Sequence, residues 1–143
     1  MSLNTDAQQV RLNSLGWMIQ RIAGRIDRAM SKRLSALDLN LLQFAVVMTL
    51  LEKDGQTQAK IGRIFQAPAY AISRALDHLE QAGLVTRGAH AQSRRSHVVR
   101  ITAAGRELGP TLFALVREMN DELLSDFSET ERDTLRALLI RLV

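Results

Sequence analysis

Cysteine is absent from the 143-residue chain, which excludes disulfides, thiolate nucleophiles, cysteine-based zinc sites and thiol redox sensing together. Aromatic residues make up only 4% of it, with Trp17 the single indole. No apolar run approaches the length that crosses a bilayer and no basic-then-apolar leader opens the chain, so a cytoplasmic protein with no membrane partner is the expectation. Low-complexity tracts and sequence repeats are missing. So are HExxH, GxSxG, a Walker-type loop and GxGxxG, while the acidic residues near the carboxyl end have no partnered histidine; neither catalysis nor a cofactor is expected. His78, His90 and His97 lack ligand-type spacing, and satisfied or solvated imidazoles are the expectation in place of a metal site.

What is present is a chain 46% hydrophobic, long enough for one domain with a real core and too short for two enzymatic ones. Its most informative stretch runs from Thr57 to Thr102. With Thr57 as N-cap, Ile61, Ile64 and Phe65 fall on one helical face and Gln58, Lys60 and Arg63 on the other. After a turn ending at Pro68, Ile72, Ala75, Leu76 and Leu79 recur at spacings of three and four until Gly83 supplies a stop, and Tyr70, Ser73, Arg74 and Asp77 lie opposite. Val85 and Val98 to Ile101 read as strands, and Gly88 to His97, carrying Arg94 and Arg95, as the connecting tip. Two short helices and a basic hairpin make a winged helix-turn-helix, in which one helix enters a major groove and the hairpin reaches phosphates or a minor groove nearby.

The distribution of charge says more than the net +4 or the isoelectric point near 10.3. Gly55 to Thr102 holds seven basic residues (Lys60, Arg63, Arg74, Arg87, Arg94, Arg95 and Arg100) against Asp77 and Glu80, a surplus of five, so the rest of the chain stands at −1. A solvated basic face is the plain alternative. The coincidence of the surplus with the motif favours a polyanion partner, because Lys and Arg displace counterions condensed along a phosphate backbone.

Outside this head the pattern is helical. Leu15, Ile19, Ile22, Ile26, Met30 and Leu34 keep three-and-four spacing, while Met1 to Gln9 is polar enough to fray. A second helix starts at Asn40 with Gln43 at its capping-box position and turns Phe44, Val47, Met48 and Leu51 inward until Asp54-Gly55. Thr102 caps a helix bearing Leu108, Leu112, Leu115, Met119 and Leu123; Ser128 and Glu131 open a last one with Leu135, Leu138, Leu139 and Leu142. Each stripe alone fits an intramolecular core. Together, the tail residues Leu138, Leu139, Ile140, Leu142 and Val143 exceed what one small head covers, and a two-fold homodimer accounts for the surplus. Such a dimer spaces two reading helices by roughly 34 Å, one turn of DNA, which suits a palindromic site.

The chain resembles the MarR family of bacterial transcriptional regulators over nearly its whole length. The resemblance lies in Leu39 to Leu51, Asp54-Gly55, Thr57-Gln58, the run from Ile72 to Glu80, Gly83-Leu84-Val85, and Arg95 through Val98 to Thr102 and Gly105, in that order and at that spacing. It implies a mainly α fold with a small β-hairpin wing: one MarR-like domain over 1–143, with dimerisation helices at 10–36 and 103–143 and a winged helix-turn-helix DNA-binding head at 40–102. It also implies a homodimeric repressor whose DNA binding is relieved by a small aromatic or phenolic effector. Two departures bear on contacts. Ser93 stands where the family commonly has an aspartate two residues before the key wing arginine, here Arg95, and Ala69, Tyr70 and Ala71 stand where arginine or serine, proline and threonine are frequent.

Double-stranded DNA is therefore the expected partner. Ser73 and Arg74 are placed at base edges or adjacent phosphates, with Arg74 the candidate for a bidentate guanine contact; its alternative is pairing with Asp77 on a solvated helix. Tyr70 offers a phenol to a phosphate or a ring face to a thymine methyl. Thr57, Gln58 and Lys60 sit at a helix start that favours a phosphate, and Arg87, Arg94 and Arg95 do the wing's work. For an effector, Trp17, Met18, Arg21, Phe44, Met48 and Phe113 could line a cleft, with Arg21 or Arg25 facing a ligand carboxylate; ordinary core and solvated arginines remain the other reading. A winged-helix module docking an acidic protein partner is the competitor from another class. RNA fits less well, because its deep, narrow major groove does not admit a helix.

Overall fold

Side-chain caps set most of the helix starts. The computed structural model describes residues 2–90 and 93–143, with side chains described outside positions 90–96. Helix α1 spans Leu3–Asn13 and buries nothing. Ser14 breaks the chain and accepts the Trp17 N–H at 3.1 Å, opening α2, Leu15–Ser35. In α3, Leu41–Glu52, the Asn40 side chain accepts the Gln43 N–H at 2.8 Å while the Gln43 side chain accepts the Asn40 N–H at 3.0 Å, so two otherwise orphaned donors are satisfied at once. Strand β1 is only Gln56–Thr57. Thr57 then caps α4, Gln58–Phe65, by accepting the Lys60 N–H at 3.2 Å. A left-handed Gln66 turns the chain through Pro68 into α5, Ala69–Gln81.

Strands β2 (Val85–His90) and β3 (Ser93–Ile101) form an antiparallel hairpin. The pairs Val85 with Ile101, Arg87 with Val99 and Ala89 with His97 fix its register, and β1 pairs with the other edge of β3. The sheet order is thus β1-β3-β2. Thr102 closes the hairpin's base: its hydroxyl donates to the Gly83 carbonyl at 2.6 Å and its N–H to the Leu84 carbonyl at 3.0 Å. The same hydroxyl accepts the Gly105 N–H and starts α6, Ala103–Leu123. A second reciprocal capping box, Ser128 with Glu131, starts α7, Glu129–Leu139.

The core lies where α3, α5, α6 and the sheet meet. Leu34, Leu50, Ile61, Ile72, Leu76, Leu79 and Leu112 are fully enclosed there, each stabilising the fold by about 1.5–3 kcal/mol relative to exposure. Gly105 is required by this packing, since a Cβ on it would stand 2.4 Å from the Leu84 carbonyl oxygen and 2.6 Å from Ile101 Cγ1.

Several sequence expectations are corrected. The amino-terminal segment forms α1 instead of fraying: from Leu3 on, its backbone closes helical hydrogen bonds without burying a side chain. Helix α3 turns Val46, Val47 and Leu50 fully inward, while Phe44, Met48 and Leu51 take a half-buried second face. Ile64 is 48% exposed because α4 is only two turns long and rests on Ile61. Residues read as the hairpin's tip, Gly88 and Ala89 on one side and His97 on the other, are paired strand. Leu142 lies beyond the end of α7.

Candidate nucleic-acid interface

Helix α5 is held from behind by Ile72, Ala75, Leu76 and Leu79, all buried. That phase leaves Tyr70, Arg74 and Asp77 facing solvent, with Tyr70 69% exposed and Ser73 half-buried at the edge of the same face. Lys60 and Arg63 are exposed on α4, while Thr57 and Gln58 at its start are half-buried. An open cleft of about 640 Å³ runs between the two helices, lined by Gln58, Arg63, Gln66 and Ala69 and closed on one side by His97 of β3. The outward face of α5, the start of α4 and the hairpin thus share one side of the head.

Arg87 has a different environment from the other basic candidates. Its guanidinium donates to Asp77 and, at 3.1 Å, to Glu80, and its backbone N–H donates to the second Glu80 oxygen at 3.1 Å. These bonds pull the Glu80 carboxyl below its ordinary value, the side-chain hydrogen bond from Arg87 contributing most. The bond to Asp77 likewise raises the Arg87 guanidinium. Asp77 therefore pairs with Arg87 and not with Arg74, and Arg87 ties β2 to the exposed side of α5. The side chains of Arg94, Arg95 and Ser93 lie outside the described residues; their backbone belongs to β3.

Two positions that hold the interface together escape sequence reasoning. Asp54 reads as a helix stop, yet one of its oxygens accepts the Gly55 N–H at 2.8 Å and the Ile101 N–H at 2.9 Å, and the other accepts from Arg106 at 3.1 Å. It fastens the end of β3 to the α3–β1 turn, a contact across 47 positions that no local pattern announces. His78, on α5, has Nε2 2.7 Å from the Asp38 carbonyl oxygen and 3.7 Å from its carboxylate, linking α5 to the turn after α2.

Half of the expected effector cleft assembles. Phe44, Met48 and Phe113 line one groove of about 650 Å³ together with Ile26, Met30, Phe65 and Met119. Trp17, Met18 and Arg21 are absent from its wall. They occupy the opening turns of α2, which run past the body, and the first residue of that helix to be buried is Met30. Trp17 is flanked instead by Arg11 and Arg21, whose guanidinium carbons lie 5.0 and 4.8 Å from its ring centre. Among the described residues no group of three or more potential ligands could hold a metal ion, and no helix is long and apolar enough to cross a membrane.

Two helices joined by a tight turn, the second presenting a polar face that carries Arg74 beside an antiparallel hairpin, define a winged helix-turn-helix protein. The sequence model of the MarR family matches residues 37–96. Over 133 residues the chain is 32% identical to the transcriptional regulator PecS of Dickeya dadantii, covering 86% of this chain and 76% of that one. Over 128 residues it is 29% identical to the transcriptional repressor Rv2887 of Mycobacterium tuberculosis, covering 90% and 92%. A cysteine-to-serine variant of MarR from Escherichia coli, solved in complex with operator DNA, superposes with a TM-score of 0.78 at 25% identity over 94% of this chain and 96% of that one. The chain belongs to the MarR family of transcriptional regulators.

Proposed function

We propose that this regulator reads duplex DNA as a homodimer, placing α5 in a major groove and the β2–β3 hairpin on the flanking backbone, and that it acts as a ligand-responsive repressor on a palindromic site. The observation that carries the reading is the exposed face of Tyr70, Ser73 and Arg74 on a helix whose opposite side is locked into the core. In this reading Arg74 contacts a guanine edge, and Thr57, Gln58 and Lys60 engage a phosphate at the start of α4. Arg94 and Arg95 supply wing charge. Arg87 acts indirectly, holding the hairpin against α5 through Asp77 and Glu80.

The whole of 1–143 works as one unit, with 40–102 as the reading head and 10–36 and 103–143 as pairing helices. The exposed apolar residues on α2 and after α7 support that division. The groove beside Phe44, Met48 and Phe113 is the effector site. This reading assigns the protein no catalytic role and a place in the cytoplasm, where its DNA would be.

The test is selection from random duplexes at two salt concentrations, with the enriched sites sequenced. A palindrome with half-sites about one helical turn apart supports the dimeric reader. Absence of enrichment overturns it and favours a protein-docking module. Arg95→Ala, by removing one phosphate contact, should weaken binding evenly across sequences and lower the salt slope by about 1; an unchanged slope removes Arg95 from the backbone contacts.

A further inference from the structure

The groove between α2, α3 and α6 has an uneven chemistry. Three of the chain's four phenylalanines, Phe44, Phe65 and Phe113, gather there, although aromatics are scarce elsewhere. Met30, Met48 and Met119 line the same groove and bring polarizable sulfur suited to irregular aromatic ligands. Only two lining residues carry charge, Asp27 from α2 and Glu52 from α3, and both are acidic and exposed at the rim. Among the described residues neither belongs to an ion pair. Glu52 is also the last residue of α3, so the negative end of that helix dipole opens on the same rim. Neither arginine expected to meet a ligand carboxylate, Arg21 or Arg25, is in the wall; Arg25 lines a separate pocket beside Glu122.

We propose that this groove binds aromatic organic cations, with Asp27 and Glu52 as their counter-ions and the phenylalanine faces stacked on the ligand. The proposal rests on the reading of the groove as the effector site and names the ligand class that site selects. Ring faces attract a cation and repel an anion, and a rim carboxylate stays hydrated until the ligand arrives, so no charge is desolvated in the empty protein. The volume, about 650 Å³, lies within the usual range of about 300–1,000 Å³ for small-molecule sites. Carboxylate and phenolate ligands meet no cation in the wall and are disfavoured.

Tetraphenylphosphonium and tetraphenylborate form a probe pair of nearly equal shape and opposite charge. Calorimetric titration of the full chain with each, at low and moderate salt, should show the phosphonium binding at least about tenfold more tightly. The chain as a whole is basic, at +4, so non-specific attraction would produce the opposite order. Asp27→Asn combined with Glu52→Gln should erase the preference, and Phe113→Ala should weaken the phosphonium. Equal or tighter binding of the borate overturns the charge assignment and leaves the groove as a ligand site. Retained preference in the double variant moves the cation elsewhere. If neither probe binds a protein whose circular dichroism is native, the effector reading of the groove falls together with the proposal.

Discussion

At the scale of the residue, Arg74, a proposed DNA contact, and Gly105, a packing position, differ in exposure. Arg74 projects from a helix whose other face is buried in the core, and its neighbour Asp77 is already engaged by Arg87. Replacing Arg74 by alanine should cost about 1–3 kcal/mol at the selected site and relax base preference at one position, which quantitative binding to single-base operator variants will measure. A uniform loss across all variants would reduce Arg74 to a phosphate contact. Gly105 represents the other kind. A methyl group placed there meets the Leu84 carbonyl oxygen and Ile101, and because one of these is backbone, relief requires the hairpin base and α6 to separate. Gly105→Ala should lower stability by about 1–3 kcal/mol, read as an earlier urea midpoint; a wild-type midpoint would mean that α6 can slide without cost.

The coupling between α5 and the hairpin belongs to the scale of elements, and it depends on acid. Glu80 is drawn below the ordinary carboxylate range by its bonds from Arg87, so the stabilisation is fully present above the ordinary value and is lost as pH falls through the depressed one. The Arg87 guanidinium, shifted upward, stays charged throughout that window. Protection of the Arg87 amide, which donates to Glu80, should therefore hold at neutral pH and decline only once the pH has fallen below the ordinary glutamate range. In Glu80→Gln it should lose that dependence; an acid-insensitive amide in the wild type would mean that Glu80 does not hold the hairpin.

Elements defined by local signals were legible in the sequence. The caps at Asn40, Thr57, Thr102 and Ser128 lie within three residues of the amides they accept from, and the inward stripe of α5 is complete in one helix. Features that depend on distant partners were not. Strand β1 has two residues, too few for any alternation, and exists because β3 offers an edge. Arg87 looks like any wing arginine until the register brings it over Asp77 and Glu80, and the split of the effector residues depends on how far α2 projects past the body.

At the scale of the whole molecule, the helices near both ends of the chain leave apolar side chains exposed. Leu15, Ile19 and Ile22 on α2 and Leu138, Leu139, Ile140 and Leu142 at the other end are exposed, and α7, which buries nothing, is attached through Arg132 to Asp121 and to the Leu124 carbonyl at 2.9 Å each. A second copy covering these surfaces is the dimer proposed above. Leu138→Asp with Ile140→Asp should then yield a folded monomer by sedimentation, with tight binding to the full palindrome lost and weak half-site binding kept; an intact dimer would place the interface elsewhere. The clasp at Thr102, which joins the end of β3 to Gly83 and Leu84 just ahead of β2, has a consequence for descent. Because the hairpin leaves and rejoins the body at one point, residues can be added to or removed from its far end without re-registering α5 or α6. Wing length is thus a dimension along which lineages built on this scaffold can diverge in operator while the machinery beneath is inherited intact.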